Sequence, residues 1–123
     1  VADFKISEKS DVKIKKKDEL TIKLEKNVDI LNYVSNHNSM RPKLVIGFAA
    51  ETNDLENNAI EKLKNKNCDL IIANDVSNKN IGFDSDLNEV TIFYKNNKKE
   101  KLYTKNKSLI SDEIVEIVNN QLN

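Results

Sequence analysis

The sequence predicts an α/β fold in which a Rossmann-like, mostly parallel sheet has flanking helices and a C-terminal antiparallel hairpin. Two unbroken apolar runs, 44–46 and 70–72, are typical of strands that are covered on both faces. A helical pattern separates the two runs, which predicts a β-α-β crossover. Since no repeat or composition shift divides the chain, we interpret residues 1–123 as a single domain.

Composition limits the possible functions. The chain has 20 basic and 20 acidic residues and a formal net charge of zero, which gives no bulk electrostatic reason to bind nucleic acid. No apolar run approaches the length of a membrane span. Cys68 is the single cysteine, which excludes an internal disulfide and a cysteine-cluster zinc site. We therefore expect a cytoplasmic protein with neither a nucleic-acid nor a membrane partner.

The amino-terminal segment predicts a strand end followed by a flap. Residues 1–4 are strand-like with Asp3 at the tip, where a carboxylate could hold a metal ion or a ribose hydroxyl; a turn aspartate is the alternative. Residues 5–18 are polar and basic, so we expect a mobile flap that closes over a phosphorylated substrate, with a solvated loop as the alternative. Because the chain starts in this strand-like segment without methionine, we expect that a first half is missing.

A second strand and a helix are predicted after the flap. Leu20, Ile22 and Leu24 alternate with polar residues, which predicts a strand with one buried face. Asn27 is predicted to cap a helix that begins at 28–31, whose free N–H groups would receive an anion or a polar base. The turn after this helix contains His37, the only histidine, which we interpret as an exposed loop residue.

The helix between the two apolar runs carries a candidate anion site. Asn53 and Glu56 have the spacing of a capping box and are predicted to open this helix. Lys62 and Lys66 are four residues apart near the edge of its apolar face, so two ammonium groups can point at one anion. Loop 47–54 leaves the carboxyl end of the first strand, where open parallel sheets bind ligands, and we expect the site there.

The last third of the chain predicts elements that complete the sheet. Segments 90–94 and 100–104 around Asn96 and Asn97 predict a hairpin added at a sheet edge. The apolar residues of 108–122 recur at helical spacing, which predicts an amphipathic helix that closes one face of the sheet. The sequence has no Walker-type loop, no glycine-rich dinucleotide turn and no Ser/His/Asp set.

Several blocks of this sequence resemble one known family in their order and spacing. They include Val1-Ala2-Asp3-Phe4, Lys13-Ile14-Lys15-Lys16, Asn27-Val28-Asp29-Ile30-Leu31, Gly47-Phe48-Ala49-Ala50-Glu51-Thr52, Asp69-Leu70-Ile71-Ile72-Ala73-Asn74-Asp75 and Gly82-Phe83-Asp84-Ser85-Asp86. From end to end, the chain resembles the carboxyl-terminal half of the phosphopantothenate–cysteine ligase family. It departs from the family at Val28, where proline is usual.

The resemblance implies a ligase that joins cysteine to 4′-phosphopantothenate through an acyl-cytidylate, with CTP as co-substrate and Mg²⁺ as cofactor, in coenzyme A biosynthesis. It implies that Lys13 is catalytic and that nine residues contact the nucleotide: Asp3, Lys13, Val28, Asp29, Ile30, Leu31, Phe48, Lys62 and Lys66. It assigns no metal ligands. It also implies a homodimer, and an amino-terminal half or decarboxylase partner that precedes this chain. A non-catalytic α/β assembly module without its own nucleotide site stays open as an alternative.

Overall fold

A computed structural model describes residues 2–15, 19–77 and 85–123. The elements are β1 (Phe4–Ile6), β2 (Leu24–Lys26), α1 (Ile30–Ser35), β3 (Ile46–Glu51), α2 (Leu55–Asn65), β4 (Leu70–Asp75), β5 (Leu87–Tyr94), β6 (Lys99–Asn106) and α3 (Lys107–Leu122). Residues 16–18 of the expected flap and residues 82–84 of the last matching sequence block lie outside the described residues.

The main sheet has four strands in the order β3-β4-β5-β6. β3 and β4 pair in parallel, from Ile46 opposite Leu70 to Glu51 opposite Asp75, and α2 connects them. β5 pairs antiparallel with both β4 and β6. The predicted α/β fold, the β-α-β crossover and the edge hairpin are therefore confirmed. The hairpin turn contains Asn97 in the left-handed conformation, with φ at 66°, which asparagine tolerates well.

The core consists of two apolar clusters, one on each face of this sheet. The cluster under α2 contains Val45, Ala49, Ala59, Leu63, Cys68, Ile71, Ala73 and Phe93. The cluster under α3 contains Leu70, Ile72, Val90, Ile92, Tyr94, Leu102 and Ile110. α3 thus closes one face, as the spacing of its apolar residues predicts. Within the described ranges, no helix combines the length and the apolar character that crossing a bilayer requires.

The small sheet near the amino terminus differs from the prediction. β1 begins after Asp3 and pairs antiparallel with β2, so Asp3 precedes a strand instead of ending one. The strand predicted from the alternating residues 20–24 begins only at Leu24, and the prediction that one of its faces is buried is wrong. Leu20, Ile22 and Leu24 are 63%, 60% and 59% exposed. Alternation produces a buried face only where a second layer covers the strand, and here β1 and β2 are exposed along their whole length.

The predicted start of α1 is wrong by two residues. Asp29, and not Asn27, is the N-cap, because its carboxylate accepts a hydrogen bond from the Asn32 N–H at 2.9 Å. The Asn27 side chain instead donates to the Ala2 carbonyl at 2.8 Å. The Asn27 side chain is therefore used in a tertiary hydrogen bond and does not cap α1.

The capping box predicted for α2 is also wrong. The N-cap is Asp54, which has a left-handed backbone and makes no side-chain hydrogen bond to the helix backbone. Glu56 pairs with Lys99 of β6, with 2.9 Å between the charged atoms. The capping-box spacing is present, but this ion pair holds the glutamate away from the position that a capping box requires.

Candidate functional site

A cavity of about 850 Å³ lies between the β1–β2 sheet, α1, α2 and the start of β3. Seven of the nine residues that the resemblance assigns to nucleotide contact line it: Asp3, Val28, Asp29, Ile30, Leu31, Lys62 and Lys66. The other two, Lys13 and Phe48, are not among the described lining residues. The structure therefore brings residues from three separate segments of the chain to one cavity.

Asp29 makes two contacts at this cavity. One carboxylate oxygen caps α1, and the other accepts a hydrogen bond from the Lys66 Nζ. The bond from Lys66 is the main cause that lowers the pKa of Asp29, and the backbone bond from Asn32 lowers it further. The α1 amide that was expected to receive a ligand is thus bound by the protein's own carboxylate. Because Asp29 is charged at neutral pH, it balances the charge of Lys66.

Lys62 lies one turn before Lys66 on α2. Its Nζ donates to the carbonyl oxygen of Phe48 at 2.8 Å. The two ammonium groups therefore reach the same side of α2, as their spacing predicts, and each has an acceptor within the protein. Phe48 is in the middle of β3 and not at its tip, because the strand continues to Glu51. Its side chain is 66% exposed.

Asp3 is held at the cavity through its backbone. Its carbonyl oxygen accepts the N–H of Asn27 at 2.8 Å, next to the bond from the Asn27 side chain to Ala2. The Asp3 side chain is exposed and makes no hydrogen bond or ion pair with any other residue that the structure describes. Asn27 thus adds two hydrogen bonds to the β1–β2 pairing of these two chain segments, a role that its sequence context does not reveal.

The charged side chains at the cavity nearly balance. Lys26, Lys62 and Lys66 oppose Asp3 and Asp29, so one positive charge is in excess. Among residues 2–15, 19–77 and 85–123, no group of three or more His, Cys, Asp or Glu side chains could hold a metal ion. A protein-only metal cage is therefore not present in this part of the chain. Mg²⁺ does not need one, because it commonly binds through one or two carboxylates together with substrate phosphates.

The carboxyl ends of β3 and β4 lie away from this cavity. Glu51 and Asp75 are opposite each other there. Glu51 accepts the Asn58 side chain at 3.1 Å, and Asp75 accepts the Ser77 hydroxyl at 2.6 Å. The hydrogen bonds from Ser77 lower the pKa of Asp75. Loop 47–54 was the expected place of the site. The cavity instead opens beside residues 44–46, because Lys62 lies in the last turn of α2 and Lys66 is its C-cap.

Sequence reasoning missed a polar cluster beside the cavity. It consists of Ser35, Arg41, Asn67 and Asp69, and we call it the Arg41 cluster. The guanidinium of Arg41 pairs with the Asp69 carboxylate at 2.9 Å. One signal could have revealed it, since Arg41 is the only arginine in the sequence and directly precedes the only proline.

Residues 1–122 match the family described as DNA/pantothenate metabolism flavoprotein C-terminal domain. Among curated proteins, the chain is similar to the coenzyme A biosynthesis bifunctional protein CoaBC of Haemophilus influenzae, with 44% identity over 120 residues. The protein of the same name from Bacillus subtilis is 43% identical over 117 residues. These matches cover 96% and 94% of this chain and 29% and 28% of the relatives. The chain therefore spans less than a third of their length.

Solved structures agree with this match. The crystal structure of the C-terminal domain of coenzyme A biosynthesis bifunctional protein CoaBC is similar, with a TM-score of 0.67 and 34% identity. The similar region covers 82% of this chain and 45% of that one. The DNA/pantothenate metabolism flavoprotein from Streptococcus pneumoniae has a TM-score of 0.63, with 86% of this chain and 46% of that one covered. Its identity of 24% supports the fold alone.

Proposed function

Because the chain belongs to the DNA/pantothenate metabolism flavoprotein C-terminal domain family, we propose that it is the nucleotide-binding part of a phosphopantothenate–cysteine ligase of coenzyme A biosynthesis. The family match confirms the resemblance found in the sequence. The observation that carries the proposal is the cavity at which seven of the nine expected contacts meet. Three chain segments have to come together to form it, and they contain both of the expected acidic residues and the expected lysine pair.

The proposed reaction has two steps. A carboxylate oxygen of 4′-phosphopantothenate attacks the α-phosphorus of CTP, the bond to the bridging oxygen breaks, and pyrophosphate leaves. The amine of cysteine then attacks the acyl carbon of the acyl-cytidylate. CMP leaves with the electron pair of the broken C–O bond, and the nitrogen loses a proton. Negative charge moves onto phosphate oxygens in both steps, so fixed cations beside these oxygens accelerate the reaction.

Lys62 and Lys66 are the proposed phosphate-binding cations. A phosphate oxygen carries more negative charge than the Phe48 carbonyl oxygen, so it competes well for Lys62. Lys66 can keep its bond to Asp29 while it binds the ligand, because an ammonium group has three donors. The existing acceptors would thus hold both lysines near the cavity before the nucleotide arrives, which reduces the entropy lost on binding.

Three further roles are proposed for the remaining contacts. The exposed Asp3 carboxylate is suited to a nucleotide-bound Mg²⁺ or to a ribose hydroxyl. The cavity has only one positive charge in excess, which is fewer than the negative charges of a nucleoside triphosphate. Mg²⁺ would neutralise part of the remaining phosphate charge. Lys13 makes no hydrogen bond or ion pair with the other described residues, so it is free to contact the nucleotide when the flap closes. The role proposed for Phe48 is an apolar contact with the nucleotide, although its exposed ring does not line the cavity.

The test is calorimetric titration of this chain with CTP and Mg²⁺, with ATP in parallel to establish the base preference. Lys62→Ala and Lys66→Ala are expected to weaken CTP binding by about tenfold to a hundredfold each, since each removes a charge-assisted hydrogen bond worth about 1.5–3 kcal/mol. Lys64→Ala is the matched control, because it lies on the same helix outside this cavity. Absence of binding to either nucleotide, or an equal loss with Lys64→Ala, would refute the proposal.

One observation favours the alternative of an assembly module. Both faces of the β1–β2 sheet are exposed, and Phe4 and Ile6 each have 51% of their surface open to solvent. Apolar surface of this kind is typical of an interface. Sedimentation velocity gives the oligomeric state, and together with the CTP titration it distinguishes the two functions. A homodimer that binds no nucleotide supports assembly alone, whereas a homodimer that binds CTP is compatible with the ligase.

A further inference from the structure

The guanidinium of Arg41 donates four hydrogen bonds. Its Nε donates to the Ser35 carbonyl at 2.8 Å, and its Nη1 donates to the Pro42 carbonyl at 3.0 Å. Its Nη2 donates to the Asn67 carbonyl at 3.1 Å and to an Asp69 carboxylate oxygen at 2.9 Å. One half-buried side chain therefore binds groups from three separate places in the chain.

Three of these four acceptors lie at or next to the end of an element, and the fourth, the Pro42 carbonyl, belongs to the segment between α1 and β3. Ser35 is the last residue of α1, so its carbonyl has no partner within that helix. Asn67 forms the turn after α2 with a left-handed φ of 49°, and its side chain also donates to the Ser35 carbonyl at 3.2 Å. The Asp69 carboxylate accepts the N–H of Val45 at 2.8 Å, just before β3. Arg41 thus joins the ends of α1 and α2 to the starts of β3 and β4.

The end of α1 is also bonded directly to the backbone of Lys66. The hydroxyl of Ser35, which is fully buried, donates to the Lys66 carbonyl oxygen. The Lys66 side chain reaches the opposite end of α1, where it pairs with Asp29. α1 has six residues, far too few to be a stable helix without tertiary contacts. Its position relative to Lys66 therefore depends on the contacts at its two ends.

We propose that Arg41 is a positioning residue, which acts through the Arg41 cluster to fix α1 against the end of α2 and so holds Lys66 opposite Asp29. It does not line the cavity and is not proposed to contact the nucleotide. As far as it concerns nucleotide binding, this inference rests on the proposed function. As far as it concerns the geometry of Lys66 and Asp29, it is independent of that function.

The geometry requires arginine and not simply a positive charge. A guanidinium presents N–H donors on three nitrogens in a fixed plane, whereas the three donors of a lysine share one atom. Lysine at position 41 could keep the ion pair with Asp69 but could not also reach the Ser35 and Asn67 carbonyls. Of the 20 lysine and arginine residues of the chain, Arg41 is the single arginine. It occupies the position at which donors on three nitrogens are used.

The first test is the titration of the Asp29 carboxyl group, followed by NMR in the wild type and in Arg41→Lys. The exchange keeps the charge, so a change reports geometry. We expect the pKa of Asp29 to rise towards its ordinary value of 3.8, because the bond from Lys66 that lowers it is loosened. Lys43→Arg, the reverse exchange two residues away and outside the Arg41 cluster, is expected to leave the pKa unchanged. An unchanged Asp29 titration in folded Arg41→Lys would overturn the proposal.

The second test is a double-mutant cycle on CTP binding in the presence of Mg²⁺. Arg41→Lys is expected to weaken binding several-fold when Lys66 is present and to add no further loss in Lys66→Ala, because Arg41 acts through Lys66. The same loss in both backgrounds would contradict this. If the wild-type chain binds no nucleotide, the proposed function fails, and the Asp29 titration still decides the positioning role.

A second variant covers the case in which Arg41→Lys does not fold. Arg41→Gln removes the fork of donors without leaving an ammonium group in the half-buried cluster, and it keeps the Ser35 hydroxyl bond to the Lys66 carbonyl in place. It is expected to raise the pKa of Asp29 in the same direction. If Arg41→Gln folds and Asp29 titrates as in the wild type, the guanidinium contacts are not what holds Lys66 opposite Asp29, and the proposal is wrong.

Discussion

The ammonium group of Lys66, the C-cap residue of α2, forms an ion pair with Asp29, the carboxylate that caps α1. The same carboxylate therefore fixes the start of one helix and holds a cation of another. Because both side chains line the cavity, the charge at its wall is set before any ligand binds. The pair also connects the candidate site to stability, since a change in its protonation affects both.

The first prediction concerns stability in acid. The pKa of Asp29 lies below its ordinary value of 3.8, so the ionised form stabilises the fold above that pH, and this contribution is lost as the pH falls through the folded-state pKa. Asp29→Asn keeps a good N-cap but removes the charge. Because the Asp29 side chain is 43% exposed, the variant should be less stable by no more than about 1 kcal/mol at neutral pH.

Urea unfolding of both proteins over a range of pH measures this difference. The two stabilities should converge only as the pH falls through the folded-state pKa of Asp29, which lies below 3.8, because the wild-type carboxyl then becomes neutral as well. Lys66→Met is the matching change on the other side of the pair and should reduce the same pH dependence, while the bond from Asn32 still lowers the pKa of Asp29. A gap between wild type and Asp29→Asn that stays constant into acid would show that the charge of Asp29 is not its cause.

The second prediction concerns the close packing at Gly47 in β3. A Cβ atom at this position would lie 2.6 Å from the Ile71 Cδ1 and 2.9 Å from the Leu31 Cδ2. Both atoms are side-chain ends, so the fully buried Ile71 side chain would have to repack within the core, and the Leu31 side chain would have to shift towards the cavity that it lines. Gly47→Ala should therefore destabilise the fold by about 1–3 kcal/mol, measured by urea unfolding. Ala50→Val adds methyl groups on the exposed face of β3 and should change stability by less than about 0.5 kcal/mol.

The third prediction concerns Tyr94 at the end of β5. Burial and the hydrogen bond to Glu100, 3.0 Å away, raise the pKa of this phenol from 10.0 to about 12. An acid with a raised pKa stabilises the fold at all pH values below 10.0, and this contribution is lost as the pH rises through about 12. Ultraviolet titration should show a late tyrosine step that Tyr94→Phe removes and Glu100→Gln shifts to lower pH. Loss of a step near 10.0 in Tyr94→Phe would contradict the assignment.

The main sheet could be predicted from the sequence because its patterns have local physical causes. Residues 70–72 form an unbroken apolar run since β4 is buried on both faces. The small sheet could not be predicted in the same way. Phe4 pairs with Lys26 across a long polar segment, and neither strand has a buried face that would impose a period on its sequence. Pairing of this kind depends on tertiary contacts that propensity does not report.

The candidate site shows the same division. The spacing of Lys62 and Lys66 places two ammonium groups on one side of α2, which helix geometry alone requires. Their acceptors, the Phe48 carbonyl and the Asp29 carboxylate, come from other elements and leave no local pattern in the sequence. The Arg41 cluster is also long-range, because Arg41 and Asp69 are 28 positions apart.

The last prediction concerns the backbone of Asp54, the N-cap of α2, the helix that contains Lys62 and is followed by Lys66. Its φ of 45° and ψ of 44° are left-handed, which costs alanine about 1 kcal/mol and costs glycine nothing. Asp54→Gly and Asp54→Ala both lose the hydrogen bonds from the Asn57 side chain, so their difference isolates the backbone conformation. Urea unfolding should find the alanine variant about 1 kcal/mol less stable than the glycine variant. Equal stabilities would mean that α2 can start with a residue in an ordinary right-handed conformation. The left-handed backbone at position 54 would then not be required for the chain to enter the helix.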